Sequence, residues 1–295
     1  MGASTVAVVG CGNMGRGIME VAAVAGYDVK GIKLTPGNLD KPKQAIGASL
    51  SRRVKKGKMS QDEADQVLAR IEFTSDLAAV GSADVVVESV IEDEKTKVEL
   101  LPRLEALMNP EAVLGSNTSS LRLEVLAKSL KRPQNFVGLH FFGPVPVMAL
   151  VELGAIDKTA DFATAKASEF CKKVGKTVVS VKSSPGYIVN RLLVPYLLHG
   201  IETLESGIAS ATDIDEAMKL GCGHPMGPLA LSDFIGLDVV RAMAETMSAE
   251  LKSDRYRMPE TLVKLTDAEQ LGRKSGIGIY DYSGEKPVLN PALKG

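Results

Sequence analysis

The stretch Thr5–Gly15, which reads TVAVVGCGNMG, decides the fold. Thr5–Val9 is a short, valine-rich apolar run, which is typical of a strand buried on both faces of a parallel sheet. A GxGxxG pattern follows at once, and residues 13–25 then have the apolar spacing of a helix. A glycine-rich turn between a strand and a helix predicts a dinucleotide-binding fingerprint. The alternative is a chance glycine turn in an α/β protein.

Each position of this turn has an expected role. Gly10 permits the tight turn, Gly12 lets a pyrophosphate approach the backbone, and Gly15 lets the helix pack closely on the strand. Asn13 and Met14 open the helix, where unpaired N–H groups and the positive end of the dipole suit an anion.

Outward from the turn, strands and helices alternate. Further strands are predicted at 28–34, 84–88, 112–116, 135–139 and 177–181, and helices at 40–71 and 94–107, the first as a helix–turn–helix with a capping box from Ser60 to Glu63. This alternation predicts a doubly wound, Rossmann-like α/β sheet. From Tyr187 onward the pattern is helical, over 187–207, 212–220, 229–250 and 259–270. We therefore expect an N-terminal domain over 1–184 and an all-α domain over 185–295.

Composition excludes several classes of protein. The 295 residues are 45% hydrophobic and 24% charged, which is ordinary globular usage, and the net charge of −1 argues against a nucleic-acid binder. No metal site can be read from three widely spaced cysteines, which favour a reducing compartment, and we expect a cytoplasmic protein. The N-terminal residues lack the pattern of a signal peptide, and no apolar run predicts a membrane span.

Lys33 stands where the fingerprint predicts an acid for the adenosine ribose. A carboxylate there would repel a 2′-phosphate, whereas a lysine attracts it. The sequence therefore favours NADP(H) modestly over NAD(H). The alternative is that Lys33 is simply solvated and NAD(H) binds with weaker ribose contacts.

Polar residues follow the fourth and fifth predicted strands. The segment 117–120, Asn-Thr-Ser-Ser, and His140 should both lie at the carboxyl edge of the sheet, where ligands bind. Glu152 lies in an otherwise apolar strand, and a buried glutamate needs a partner. A His140–Glu152 pair would orient the imidazole for general acid–base catalysis. A surface histidine with an edge-strand glutamate is the alternative.

These segments together resemble the short-chain L-3-hydroxyacyl-CoA dehydrogenases, including bacterial 3-hydroxybutyryl-CoA dehydrogenases. The resemblance covers nearly the whole chain. It rests on the glycine-rich turn, SNTSS at 116–120, HFF at 140–142 with PVP at 144–146, PGYIVNR at 185–191, HPMGP at 224–228 and GRKSG at 272–276. It implies hydride transfer between a nicotinamide cofactor and C3 of a 3-hydroxyacyl or 3-ketoacyl thioester.

The resemblance also implies catalytic roles. His140 would be the general acid or base for the C3 oxygen, and Glu152 would orient it. Ser119 and Asn190 would donate hydrogen bonds to the substrate oxygens.

On the cofactor side, the resemblance places Ser89, Glu92 and Lys97 near the nicotinamide ribose, and Lys274 of the tail against the cofactor. An exposed ion pair of Lys97 with Glu94 and a solvated Lys274 are the alternatives. Gly143 stands where the family usually has an Asn that contacts the nicotinamide end, so the resemblance does not extend to that side-chain contact.

Residues 41–58 contain seven basic side chains and no acid. A solvated helix face would explain them. In the family this segment holds coenzyme A, and Ser49 and Lys56 match its contact positions. An acyl carrier protein would also suit this basic surface.

Three functions remain open. The first is an NAD(P)-dependent 3-hydroxyacyl-CoA dehydrogenase, which the resemblance implies to be a homodimer formed through the helical domain. The second is the same chemistry on a hydroxyacyl group carried by an acyl carrier protein. The third is a non-catalytic protein on this scaffold.

Overall fold

The computed structural model describes residues 4–35 and 37–293. Met1–Ala3, at the start of the segment expected to lack a signal peptide, lie outside the described residues. The chain divides into two compact units, one ending at Tyr187 and the other beginning at Ile188. The predicted boundary after Ser184 lies close to this division.

The first unit is built on one eight-stranded sheet with helices. Its strands are β1 (Thr5–Val9), β2 (Asp28–Ile32), β3 (Ile71–Thr74), β4 (Val85–Glu88), β5 (Val113–Ser116), β6 (Phe136–Phe141), β7 (Leu150–Ala155) and β8 (Thr177–Lys182). Its helices are α1 (Asn13–Val24), α2 (Asp40–Lys55), α3 (Gln61–Ala69), α4 (Glu94–Leu107), α5 (Leu123–Ala127) and α6 (Asp161–Lys173), with 3-10 turns at Leu77–Ser82 and Pro133–Asn135.

The strand order is β3-β2-β1-β4-β5-β6-β7-β8, with β1 at the point where the order reverses. All neighbouring pairs are parallel except β6 and β7. Only the short segment 142–149 joins those two strands, and a parallel crossover needs about a dozen residues or more. The chain therefore returns antiparallel, and the helix α6 then carries it to β8 in parallel.

The strand β1 shows why the apolar run is continuous. Val6 and Val8 pack into the core on one face of the sheet, while Ala7 and Val9 pack into the core on the other. Because side chains alternate between the faces and helices cover both, all four are buried. The expected Rossmann-like class is confirmed.

The helical segment predicted over 40–71 and the edge strand beside it differ from the sequence expectation, and α5 and α6 were not predicted. The helical segment expected to reach residue 71 ends at Ala69, and Ile71–Thr74 form the edge strand β3. The capping box is present, with the Ser60 hydroxyl accepting from the Glu63 amide and the Glu63 carboxylate accepting from the Ser60 amide. The polar cap at Ser60 fixes where α3 begins, whereas the end of α3 depends on the pairing of β3 with β2.

The second unit is mainly helical. It contains α7 (Val189–Glu205), α8 (Ala211–Cys222), α9 (Pro228–Ile235), α10 (Leu237–Leu251) and α11 (Glu260–Asp267), 3-10 turns at Asp254–Tyr256 and Pro291–Leu293, and the strands β9 (Tyr280–Asp281) and β10 (Val288–Leu289). The helix expected over 229–250 is two helices, because Gly236 adopts a φ of 106° between them. The antiparallel β9–β10 ribbon departs from an all-α unit.

Candidate active site

The glycine-rich turn has the shape expected for a dinucleotide fingerprint. Gly10 has a φ of 114°, and a Cβ there would lie 2.2 Å from the Ser89 carbonyl oxygen. A Cβ on Gly15 would lie 1.9 Å from the Gly10 carbonyl oxygen, whereas one on Gly12 would meet nothing within 4 Å. Gly12 is also the N-cap of α1 and offers no side chain to its first-turn amides. The turn therefore leaves space and N–H donors for a pyrophosphate.

Lys33 follows β2 at the carboxyl edge of the sheet. Its amide donates to the Thr74 carbonyl oxygen at 2.9 Å, and its ammonium lies 3.1 Å from the Thr35 hydroxyl oxygen. The ammonium also lies close enough to Cys11, in the glycine-rich turn, to oppose the burial that raises the pKa of that thiol to about 11. Lys33 thus places positive charge beside the dinucleotide turn.

His140 and Glu152 face one another across the antiparallel β6–β7 pair. They are direct partners in the register, and the His140 Nδ1 lies 2.7 Å from the Glu152 Oε2. Both side chains are buried, at 8% and 1% exposure. The alternative of a surface histidine with an edge-strand glutamate is wrong, because β8 pairs with the other side of β7.

Tyr187 is a site residue that sequence reasoning missed. Its ring stacks on the His140 ring with centroids 5.5 Å apart, and Phe142 approaches the same ring at 4.3 Å. A Cβ on Gly138 or on Gly154, which are paired across β6 and β7, would collide with the tyrosine. These two glycines were the available signal, since small residues on neighbouring strands make room for a large side chain.

The turn after β5 carries Ser119 and is held by Glu92. The Glu92 Oε1 accepts from the Ser119 amide at 2.7 Å, the Ser120 amide at 3.0 Å and the Thr118 hydroxyl at 2.7 Å. The Ser119 hydroxyl lies 3.2 Å from the same oxygen. Burial would raise the pKa of Glu92, but Lys97 and these hydrogen bonds outweigh it and lower the pKa.

Lys97 is wholly buried, with an exposure of 0%. Its ammonium lies 2.9 Å and 3.0 Å from the two Glu88 carboxylate oxygens and 3.2 Å from the Glu92 Oε2. The alternative of an exposed pair with Glu94 is therefore wrong. Lys97 is connected to the site through Glu92.

Asn117 links residues at the ends of three strands through its side-chain hydrogen bonds. Its side-chain amide donates to the Ser89 hydroxyl at 3.2 Å, and its carbonyl oxygen accepts from the Phe141 amide at 3.0 Å. Ser89 follows β4, Asn117 follows β5 and Phe141 ends β6. The structure therefore brings Ser89 and the Ser119 turn to the sheet edge that carries His140.

Gly143 is exposed in the loop between β6 and β7, and a Cβ there would lie 3.3 Å from the Met14 sulfur in the glycine-rich turn. Lys176 anchors this loop, because its buried ammonium donates to the Val145 and Met148 carbonyl oxygens at 2.5 Å and 2.7 Å. Burial lowers the pKa of Lys176. Lys176 is a second residue that sequence reasoning missed.

Ser49 and Lys56 lie on the α2–α3 hairpin. Lys56 is exposed at the C-cap of α2, and Ser49 is half-buried and hydrogen-bonded to Glu20 of α1. Glu20 is 2% exposed, and among the described residues its Oε1 has no hydrogen-bond partner, with the Arg53 guanidinium 3.8 Å away. Burial raises the pKa of Glu20, which the Ser49 hydrogen bond and the arginine charges oppose.

The remaining predicted residues belong to the helical unit. Asn190 lies half-buried in the first turn of α7. Lys274 forms an ion pair with Asp238 of α10.

Over residues 4–35 and 37–293, no group of three or more His, Cys, Asp or Glu side chains could hold a metal ion. Of the helices that the structure describes, none has the length and apolar character to cross a membrane.

Comparison with known proteins decides the family. Residues 5–184 match the model for the NAD binding domain of 3-hydroxyacyl-CoA dehydrogenase, and residues 186–282 match the model for its C-terminal domain. The chain belongs to the 3-hydroxyacyl-CoA dehydrogenase family. The resemblance read from the sequence is thereby confirmed, and the first unit is a nicotinamide-dinucleotide-binding domain of that family.

Individual relatives match along almost their whole length. A 3-hydroxybutyryl-CoA dehydrogenase of Mycobacterium tuberculosis is 43% identical, over 94% of this chain and 98% of the relative. One of Bradyrhizobium diazoefficiens is 40% identical, over 96% and 97%. The crystal structure of (S)-3-hydroxybutyryl-CoA dehydrogenase from Ralstonia eutropha superposes with a TM-score of 0.91 at 38% identity, over 96% of this chain and 100% of that one.

Proposed function

We propose that this protein is an NAD(P)-dependent 3-hydroxyacyl-CoA dehydrogenase acting on short thioesters of the 3-hydroxybutyryl-CoA and acetoacetyl-CoA type. The observation that carries the proposal is the buried His140–Glu152 pair at the sheet edge that also holds the glycine-rich turn and the Ser119 turn. The relatives named 3-hydroxybutyryl-CoA dehydrogenase support the same substrate class.

In the oxidative direction, His140 accepts the proton of the C3 hydroxyl, and in the reductive direction it returns that proton to the C3 oxygen. A nicotinamide cofactor held at the glycine-rich turn would supply the hydride chemistry at C3. Glu152 holds Nδ1 of His140 at 2.7 Å, which leaves Nε2 to face the substrate. Ser119 and Asn190 donate hydrogen bonds to the substrate oxygens and stabilise charge as it develops there.

In this proposal the glycine-rich turn from Gly10 to Gly15 would hold the cofactor, with Ser89, Glu92 and Lys97 on the nicotinamide side, and the family resemblance adds Lys274. We propose NADP(H) as the preferred cofactor because Lys33 offers an ammonium where a carboxylate would repel a 2′-phosphate. Gly143 supplies only backbone at the nicotinamide end, so any polar contact there comes from a main-chain group or water.

Coenzyme A binds on the α2–α3 hairpin in this proposal, with Ser49 and Lys56 as contacts. Most of the basic side chains of residues 41–58 are exposed, which suits phosphate groups. Residues 1–184 form the dinucleotide domain, and residues 185–295 form the substrate and dimerisation domain.

The test is reduction of acetoacetyl-CoA by purified protein, followed by nicotinamide absorbance with NADPH and NADH in parallel. Turnover with a lower KM for NADPH supports the proposal. Absence of turnover with both cofactors, in protein that binds a dinucleotide by calorimetry, contradicts it for CoA substrates. Running acetoacetyl-acyl carrier protein beside the CoA thioester identifies a carrier-protein enzyme, and absence of dinucleotide binding identifies a non-catalytic protein.

We propose further that the protein is a cytoplasmic homodimer formed through the helical unit. Its three cysteines are unpaired, as in a reducing compartment, and apolar side chains are exposed on three helices of this unit, at Leu192, Leu220 and Phe234. Light scattering should give twice the chain mass, and Leu192→Glu should give a monomer. A monomeric wild-type protein contradicts this assignment.

A further inference from the structure

Glu88 is a buried carboxylate to which neither the reaction chemistry nor the family resemblance assigns a role. It ends β4 with an exposure of 0%. Its oxygens accept from the Val90 amide at 2.8 Å and from the Ser116 hydroxyl, and both of them accept from the Lys97 ammonium. A buried carboxylate held by donors from its own loop, from α4 and from the neighbouring strand β5 has a fixed position.

The next member of the chain of contacts is Lys97. Burying an ammonium is costly unless it is paired, and Lys97 is paired with Glu88 on one side and Glu92 on the other. Glu88 is rigidly held, so it sets where the ammonium lies. The ammonium in turn fixes the position of the Glu92 Oε2.

Glu92 differs from Glu88 because it is in the loop between β4 and α4 and its side chain is 32% exposed. Packing alone does not fix it. The Lys97 contact at Oε2 turns its other oxygen toward the turn at 118–120, where that oxygen receives two amides and three hydroxyls. The position of this turn therefore depends on the Lys97–Glu92 contact.

The crowding on the Glu92 Oε1 has a consequence for Ser119. A carboxylate oxygen has about two lone-pair directions, so five donors at 2.7–3.2 Å cannot all be well satisfied. The Ser119 hydroxyl makes the longest of these contacts, at 3.2 Å. It is the donor that can turn to a substrate oxygen while the amides keep the turn in place.

We propose that Glu88 is a positioning residue for the reaction, acting through Lys97 and Glu92 to hold the turn that presents Ser119 to the substrate. This inference rests on the proposed function for its kinetic consequence. In it Lys97 acts on the substrate side of the site through Glu92, in addition to the charge it places near the cofactor.

The first test compares Glu88→Gln with Glu105→Gln. Glu105 is also a buried glutamate, but it accepts from the Lys131 and Arg132 amides before β6 begins, at the amino edge of the sheet. We expect Glu88→Gln to lower kcat by about 10- to 100-fold, as for a reacting group displaced by a fraction of an ångström to about 1 Å, with dinucleotide Kd nearly unchanged. Glu105→Gln should lower Tm and leave kcat unchanged. Equal kcat in both variants and wild type contradicts the proposal.

A second test separates positioning from folding. Lys97→Met leaves the Glu88 and Glu92 carboxylates without their ion-pair partner. If this variant does not fold, the double variant Glu88→Gln/Lys97→Met is measured in its place. We expect the double variant to regain Tm while kcat stays low. Recovery of kcat together with Tm shows a merely structural role. A large rise in dinucleotide Kd at unchanged kcat limits Lys97 to its role on the cofactor side, and either result overturns the proposal.

Hydrogen–deuterium exchange gives a readout that does not depend on activity. The Ser119 and Ser120 amides should exchange faster in Glu88→Gln than in wild type or in Glu105→Gln, because Glu92 then holds them less firmly. Unchanged exchange overturns the Glu88 proposal even if the enzyme is active. If the wild type shows no turnover but these amides exchange faster in Glu88→Gln, the proposed function is contradicted. The positioning of the turn by Glu88 through Lys97 and Glu92 is then still supported.

Discussion

Two regions of the molecule place their charged side chains in opposite ways. One is the set of carboxyl ends of β4, β5 and β6, and the other is the α2–α3 hairpin. At the strand ends, Glu88, Lys97, His140 and Glu152 are buried, and each has a charged or ring partner within about hydrogen-bond distance. On the hairpin most basic side chains are exposed. Beside it, the buried Glu20 of α1 has a carboxylate oxygen without a hydrogen-bond partner among the described residues.

The difference matches the two tasks that the proposed function sets. Proton and hydride transfer require groups held to a fraction of an ångström, which buried and mutually paired side chains provide. Binding the phosphates of a large, solvated ligand requires positive charge that can reach solvent, and small errors of position cost little there. Substitutions should therefore act strongly at the strand ends and weakly on the hairpin.

The largest effect is expected for His140→Ala. Loss of the general acid–base group should lower kcat by about 10²–10⁴-fold in acetoacetyl-CoA reduction, with Tm little changed. His199→Ala is the matched control, because His199 is an exposed histidine on α7, and it should retain the wild-type kcat. A His140→Ala enzyme of nearly normal kcat would remove the role given to the pair with Glu152.

A smaller effect is expected for Lys33→Asp, which reverses the charge beside the dinucleotide turn. The KM for NADPH should rise by about tenfold or more, since hydrogen bonds to charged groups contribute roughly 1.5–3 kcal/mol, while the KM for NADH falls or holds. Lys128→Asp, an equal charge change at the exposed C-cap of α5, is the control. Equal kinetics with both cofactors in wild type and mutant would rule out a role for Lys33 in cofactor choice.

On the hairpin, Lys56→Ala should raise the KM for acetoacetyl-CoA by only a few fold, because an exposed ion pair is worth about 0.2–1 kcal/mol. The difference should shrink as salt is raised, while kcat stays constant. Lys128→Ala serves as the exposed control. A change in kcat, or no change in KM at low salt, would mean that Lys56 does not bind the thioester's phosphates.

The smallest effect is expected for Glu20→Gln and is measured as stability. Because burial raises the pKa of Glu20, the folded state holds its proton more tightly than the unfolded chain does. Stability from this group is therefore fully present below the ordinary carboxyl pKa and is lost as pH rises through the folded-state pKa. Glu20→Gln should remove that loss and stabilise the protein at neutral pH.

Denaturant unfolding of Glu20→Gln at several pH values from acid to neutral checks this. Glu63→Gln is the contrasting variant, because the Ser60 amide and hydroxyl lower the pKa of Glu63 in its capping box. Stability from Glu63 is therefore present at neutral pH and is lost as pH falls. If Glu20→Gln has the same pH dependence as wild type, its carboxylate is not the group responsible.

Much of the fold could be predicted because its signals are local. Continuous apolar runs gave β1, β4 and β5, and the polar cap at Ser60 gave the start of α3. The strand β3 was missed because the four residues Ile71–Thr74 alternate too briefly to be told from the end of a helix. The antiparallel direction of β7 follows from the short connection 142–149 after β6. The strand itself was indicated in the sequence only by the apolar Val-Glu-Leu segment at 151–153.

The site divides in a similar way. His140, Glu152 and the Ser119 segment could be proposed from residue type and from the sheet edge at which predicted strands end. The roles of Tyr187, Lys176 and Glu88 could not, since each depends on side chains from strands or loops far apart in sequence. Lys97 illustrates the limit, because its neighbours in sequence suggested an exposed pair with Glu94 and the fold buries it between Glu88 and Glu92.

The sequence by itself determined the chemistry available to this protein: a glycine-rich turn for a dinucleotide, a histidine and a glutamate for proton transfer, and a lysine where an acid is expected. These depend on residue type and short-range spacing, which the chain carries whatever its fold. Only the tertiary structure decided which groups meet. The β6–β7 register sets His140 against Glu152. Burial of α4 on the sheet makes Lys97 pair with both Glu88 and Glu92, because an unpaired charge is too costly in an apolar interior.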